Sequence, residues 1–170
     1  MVRSVNSIES AGARKREAGF SLIELLIVVA IILIIAAIAI PSLVKSRIAA
    51  NEASAVNSLR TMTTANVTYA SQCPAVGYAA TLADLGPGAG DCTGGANILD
   101  DVLGLAAPTK AGYSFTYAAQ VVSGLNATYT LAADPLSQGN TGQRHFFVDQ
   151  TGVIHYGLNT AATAVSSVLN

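Results

Sequence analysis

The feature that most constrains this 170-residue chain is an apolar run, residues 25–40, that directly follows a single carboxylate, Glu24. An acidic side chain at the centre of a bilayer costs roughly 2.5 to 3.5 kcal/mol on insertion scales, so such a residue indicates a function and needs a partner. Residues 22–44 make 23 residues, or about 34 Å of helix, which is enough to cross a hydrocarbon core of about 30 Å. The sequence therefore predicts a membrane-spanning helix with an acidic residue near its start.

The basic residues around this span indicate its orientation. Arg14, Lys15 and Arg16 lie just before it, whereas only Lys45 and Arg47 follow closely. Because basic residues concentrate on the cytoplasmic side of a span, we expect the N-terminus in the cytoplasm and the rest of the chain outside.

The segment KREAGFSLIELLIVVAIILIIAAIAIP resembles the type III signal of type IV prepilins and pseudopilins. The resemblance rests on a basic leader, then Gly19 and Phe20, with Glu24 at mature position five and Pro41 at mature position 22. It extends over about residues 14–60. Leu33 departs from it, since many type IV pilins have a glycine at this position, mature position 14.

The resemblance implies a processing route and a set of partners. A membrane aspartyl prepilin peptidase would remove the leader, residues 1–19, by cutting after Gly19, and Phe20 would be N-methylated. The pilus assembly machinery would move the subunit from the bacterial inner membrane into a helical homo-oligomeric filament, a fimbrium on the cell surface. Glu24 would then pair with the Phe20 amine of an adjacent subunit, which gives the carboxylate its missing partner.

Three other interpretations of the N-terminal segment remain open. A pseudopilin of a type II-like secretion system has the same signal and forms a short periplasmic assembly. An ordinary signal peptide with cleavage after Ala39 would release a soluble protein, because the segment 37–39 has the small-x-small pattern. A plain single-pass anchor explains the span but not Gly19 or Glu24.

We expect one helix from Phe20 to about Gln72. Its first part, residues 20–44, is the transmembrane and polymerisation helix, with filament contacts to about Asn51. Its second part, residues 45–72, is amphipathic, with two adjacent apolar stripes and a proline after Cys73 that ends it. The stripes are Ile48, Ala55, Leu59 and Met62, and Val56, Thr63, Val67 and Ala70. Pro41 removes one backbone donor, so a helix kink is expected there.

The remaining residues are predicted to form an α+β head of the pilin fold, with the helix packed on an antiparallel sheet of about four strands. Residues 73–112 form a connecting loop with two possible helical turns, and residues 113–170 form the sheet and a tail that is a surface strap or frayed. The predicted turns are 81–85 and 98–103, and the strands are 113–119, 127–133, 144–149 and 153–156. Cys73 and Cys92 allow one pairing, and we expect them to form a disulfide in an exported head. The alternative is two separate thiols.

Composition and motifs argue against catalysis, cofactors and nucleic-acid binding. Removing the leader, which has four basic and two acidic residues, changes the net charge from −1 to −3, whereas a nucleic-acid site needs a basic face. No nucleophile-elbow, P-loop or zinc-binding signature is present, and no metal site is expected. A four-residue turn at 149–152 would place His145 and His155 on opposite sheet faces. A calcium site from Asp91, Asp100, Asp101, Asp134 and Asp149 and glycosylation at Asn66 or Asn126 are weaker alternatives.

Overall fold

The structure is a computed structural model that describes residues 19–169. The predicted leader lies outside the described residues except for Gly19. The chain divides into two compact units, residues 1–40 and 41–170. The described residues of the first unit, 19–40, form an apolar, mostly helical segment, and the second unit is the head.

One long helix begins in the first unit and ends in the second. Helix α1 extends over Leu22–Gln72, close to the predicted bounds. It continues without interruption through Pro41. The kink expected at Pro41 stays a prediction, as do the predicted domain bounds. The helix ends where proline was expected to end it, and the Cys73 N–H donates to the Tyr69 carbonyl at 2.8 Å.

In the first unit, the described residues form a helix without a packed face. None of residues 19–40 is buried. The isoleucines and leucines of this segment are about half or more exposed, for example Ile34 at 64% and Ile38 at 74%. This segment therefore has to be covered by lipid or by another protein chain, because exposure of so much apolar surface to water is strongly unfavourable.

The head contains one antiparallel sheet in which each strand pairs with the next. The strands are β1 Thr109–Lys110, β2 Tyr113–Val122, β3 Leu125–Pro135, β4 Arg144–Asp149, β5 Ile154–Leu158 and β6 Ser167–Val168. The four predicted strands correspond to β2 to β5, and the sheet has six strands because β1 and β6 add a two-residue pair at each edge. The β2–β3 connection is the predicted tight turn: Ser123 and Gly124 both have positive φ, 53° and 86°, as a two-residue hairpin turn requires.

The β4–β5 connection corrects the predicted register. Val148 pairs with Ile154, and Phe147 pairs with His155, so the connection has one residue more than predicted. Gly152 accommodates the extra residue with φ of 75°, and its N–H donates to the Asp149 carbonyl, as in a turn with a glycine bulge. The prediction for the histidines was therefore wrong: His145 and His155 lie on the same face of the sheet.

The core of the head is formed by one face of α1, one face of the sheet and the connecting loop. The first predicted stripe is buried completely, and the face continues through Asn66 and Tyr69. The prediction of the second stripe is wrong in part, because Val67 is 52% exposed. Val67 follows the buried Asn66 by one residue, which rotates its side chain about 100° around the helix axis. The sheet contributes Tyr113, Phe115, Leu131, Ala133, Phe146, Val148 and Ile154.

The connecting loop is packed onto the core. Its first predicted helical turn is the 3-10 helix Leu82–Leu85, and the second is a single turn closed by the Gly104 N–H and the Asp100 carbonyl. The tail is the strap that was one of the two alternatives. β6 pairs with β5, and the Leu169 N–H donates to the Ile154 carbonyl at 2.8 Å.

Candidate functional site at the start of the long helix

The predicted functional residues lie in and just before the first turn of α1. Gly19, Phe20 and Ser21 are non-helical, and the helix begins at Leu22. The Ser21 carbonyl accepts the Leu25 N–H at 3.2 Å, so Ser21 is the residue that caps the helix. The bond between Gly19 and Phe20 therefore lies in non-helical backbone, two residues ahead of Leu22.

Glu24 forms a hydrogen bond back to this cap. Its Oε2 accepts the Ser21 backbone N–H at 3.0 Å, which is the carboxylate half of a capping box. An acidic group in the first turn also interacts favourably with the helix dipole. This contact was not predicted, although the spacing Ser21-x-x-Glu24 is its usual signature.

No cation accompanies the carboxylate within residues 19–169. The ion pairs of this region are all in the head, and Phe20 is 84% exposed. Apart from its two chain neighbours, no described residue has an atom within 4 Å of the position that a Cβ at Gly19 would take. Among residues 19–40, an exposed aromatic residue and a carboxylate with no described cation beside it thus lie at the start of an apolar helix.

The long helix is also the one candidate membrane span in the described part of the chain. It is long and apolar enough to cross a bilayer, and its most apolar stretch is entirely unburied. The stretch lies near the N-terminus, directly after the cap. This arrangement fits a precursor that is anchored in a membrane.

Comparison with protein families decides what kind of segment this is. Residues 14–40 match the model of the prokaryotic N-terminal methylation motif. This chain carries the signal of type IV pilins and pseudopilins. No curated protein and no solved structure matches the chain. The motif is typical of structural, pilin-type proteins rather than of an enzyme family, and it implies processing by prepilin peptidase and handling by membrane assembly machinery.

The prepilin signal is followed by a head that a disulfide stabilises. Cys73 and Cys92 are bonded, with their Cα atoms 5.8 Å apart. The Tyr69 hydroxyl donates to the Cys92 carbonyl at 3.2 Å. The end of α1 and the first half of the connecting loop are therefore held together by a covalent bond and a hydrogen bond.

A buried polar contact joins the helix, the sheet and the loop. The Tyr117 hydroxyl lies 2.9 Å from Asn66 Oδ1 and 2.6 Å from the Ala79 carbonyl oxygen. The Asn66 amide donates to the Met62 carbonyl, so its Oδ1 is directed at the hydroxyl. Both Asn66 and Ala79 are fully buried. The contact was not predicted, because nothing in the sequence separates Asn66 from a surface asparagine.

Burial perturbs a group of tyrosines that we call the core tyrosines. Removal from water raises the pKa of each, because the charged phenolate is poorly solvated inside the head. In Tyr113 the nearby Glu52 carboxylate raises the pKa further. The core tyrosines are Tyr69, Tyr113, Tyr117 and Tyr129.

The histidines are occupied by separate contacts. His145 Nδ1 lies 2.6 Å from Asp134 Oδ1, and its Nε2 lies 3.0 Å from Gln138 Oε1. His155 Nδ1 donates to the Ser166 carbonyl at 2.8 Å. Residues 19–169 contain no cluster of three or more histidine, cysteine or acidic side chains that would hold a metal.

The other weak candidates are also engaged in structure. Asn66 is fully buried and Asn126 is 9% exposed, its amide donating to the Tyr78 carbonyl, so neither asparagine is accessible for glycosylation in the folded head. The five aspartates do not come together. Asp91, for example, accepts the backbone N–H and the hydroxyl of Thr93, and these hydrogen bonds lower its pKa.

Proposed function

We propose that this chain is the structural subunit of a type IV pilus. Its precursor is cut after Gly19, Phe20 is N-methylated, and the mature chain polymerises through its first helical segment into a surface filament. The observation that carries the proposal is the methylation motif at residues 14–40, joined to an apolar segment with no buried residue between 19 and 40.

The position of Glu24 supports the proposed assembly contact. Before cleavage its carboxylate accepts the Ser21 N–H, which satisfies one lone pair, and no cation among residues 19–169 pairs with its charge. Cleavage creates a cationic amine at Phe20, one residue before Ser21. In the filament, the carboxylate and the amine of an adjacent subunit neutralise each other inside an apolar helix bundle, where one unpaired charge is costly.

Two substitutions separate the charge of Glu24 from its capping role. Glu24→Gln retains a side-chain acceptor for the Ser21 N–H, since glutamine also serves in capping boxes, but it removes the charge. Glu24→Ala removes both. We expect both variants to insert into the membrane and to lose filaments, as judged by electron microscopy and by the sheared surface fraction.

Ser21→Ala is the matched control, because the backbone N–H that binds Glu24 is retained. Normal filaments in Glu24→Ala would show that the salt bridge is not needed for assembly.

A bulky residue at Gly19 tests the processing step. The chain should remain as uncleaved precursor in the membrane, and mature-length protein in that variant would overturn the step. Long surface filaments composed of this chain distinguish a pilin from a pseudopilin, which forms a short periplasmic assembly.

A further inference from the structure

Most charged side chains of the head bind groups within the head. Within residues 41–169, four charged side chains make neither a side-chain hydrogen bond nor an ion pair. Two of them, Lys45 and Arg47, lie at the start of the unit. The other two are opposite in charge: Arg60 on α1 and Asp101 on the connecting loop. The charged residues with internal contacts are Glu52, Asp84, Asp91, Asp100, Lys110, Asp134, Arg144 and Asp149.

Arg60 lines a groove that has both apolar and polar walls, which we call the Arg60 groove. The groove has a volume of about 390 Å³, and α1, β4 and the tail enclose it. Its apolar lining includes Val56, Phe146 and Leu169. The second cation on its rim, Arg144, is already paired, because its Nε lies 3.4 Å from a Glu52 carboxylate oxygen. Arg60 therefore gives the groove its uncompensated positive charge.

Asp101 is exposed and begins a short, otherwise apolar segment, residues 101–105, which we call the acidic segment. Val102 is 39% exposed and Leu105 is 54% exposed. Asp100 and the buried Leu103 line a second groove, which lies beside α1. The two grooves share Ala53 and Asn57 and therefore lie side by side along α1. Arg60 also borders Ile98 of the connecting loop.

We propose that the acidic segment of one copy docks into the Arg60 groove of a neighbouring copy, with Asp101 paired to Arg60. The exposed Val102 and Leu105 of the segment would contact the apolar part of the groove lining, and the two unpaired charges are complementary. Complementary charges at an interface suppress wrong partners and fix the register. Because the segment and the groove are different surfaces of one copy, the contact is heterologous, and it extends into an open filament when the rotation between copies does not close a ring. The inference rests on the proposed filament function and names a contact between its heads.

Charge reversal tests this contact in the full-length chain. Arg60→Glu and Asp101→Arg each place like charges at the interface, so we expect about a tenfold or larger loss of sheared filaments from either variant. When the two variants are coexpressed, filaments should return, because opposite charges then meet at every contact between unlike copies. The carboxylate introduced at position 60 faces the guanidinium introduced at position 101, and the unaltered Arg60 faces the unaltered Asp101. Mixing cannot restore an ion pair made within one chain, so rescue identifies a contact between copies.

Gln150→Arg is the control for charge alone, since it adds a cation at an exposed turn that lines neither groove. It should leave filament yield unchanged, and thermal unfolding of each variant in detergent verifies that the head folds. Single reversals without effect, or failure of coexpression to restore filaments from folded variants, would overturn the contact and leave the proposed function intact. If the unaltered chain forms no filaments, the proposed function fails and the contact with it.

Discussion

Replacing Tyr117 with phenylalanine tests the buried contact that joins the helix, the sheet and the connecting loop. The hydroxyl lies within hydrogen-bond distance of two buried acceptors, Asn66 Oδ1 at 2.9 Å and the Ala79 carbonyl at 2.6 Å. The substitution retains the ring, which stacks on Tyr129 with centroids 5.7 Å apart. Only the polar contact is removed.

The expected cost follows from the single hydroxyl proton, which the two acceptors share. A buried polar group that loses its partner costs about 1–3 kcal/mol, and Asn66 is fully buried. We therefore expect Tyr117→Phe to lower the free energy of unfolding by about 1–3 kcal/mol. For a chain of this size the melting temperature should fall by about 2 to 12 °C. Near-ultraviolet circular dichroism of the full chain in detergent measures the transition, because it reports on the aromatic core rather than on the apolar helix.

Tyr156→Phe is the matched control. Tyr156 lies on the same sheet, partly buried, and its hydroxyl makes no hydrogen bond within residues 19–169. Its loss should change stability by less than about 0.5 kcal/mol. Combining Tyr117→Phe with Asn66→Ala should give a coupling energy of about 1 kcal/mol. Equal melting temperatures for the two phenylalanine variants, or additive effects in the double variant, would refute the reasoning.

Three further predictions concern the stability of the head. Reducing the Cys73–Cys92 bond opens a loop with a sequence separation of 19 and should lower the free energy of unfolding by about 3 kcal/mol. Urea unfolding with and without reductant measures the difference. A chain with both cysteines replaced by serine should not respond to reductant. Gly142→Ala should destabilise by about 1–3 kcal/mol, since the new methyl would overlap the buried Tyr113 hydroxyl, and an unchanged melting temperature would contradict that packing. Raising the pH should destabilise the head. The folded-state pKa of the core tyrosines exceeds the unfolded value of about 10, so their contribution to stability is complete below about pH 10 and is lost above it. A melting temperature that stays constant through alkaline pH would contradict their burial.

The parts of the fold that depend on local pattern were predictable from the sequence. The apolar run and the regular spacing of Ala55, Leu59 and Met62 indicate a helix and its packing face. Proline after Cys73 marks the end of the helix, and Ser123-Gly124 marks a hairpin turn. Each of these signals is contained within a few residues, so no knowledge of the rest of the chain is needed.

Features that depend on distant residues were not predictable. The register of β4 and β5 was wrong by one because Gly152 adds a bulge, and this single residue moves both histidines to one face of the sheet. The burial of Asn66 depends on Tyr117, 51 positions away. Edge strands of two residues, such as β1, carry no periodic pattern at all. At the N-terminal site, the motif indicated Gly19, Phe20 and Glu24, whereas the contact of Glu24 with Ser21 required the geometry.

The central claim is that cleavage at Gly19 prepares the chain for assembly, and the mass of the subunit in purified surface filaments tests it most directly. Intact-mass and N-terminal mass spectrometry should find a chain that begins at Phe20, carries one methyl group on its amine and retains the Cys73–Cys92 bond. A filament subunit that begins at Met1, or a soluble protein that begins at Ile40, would contradict the account.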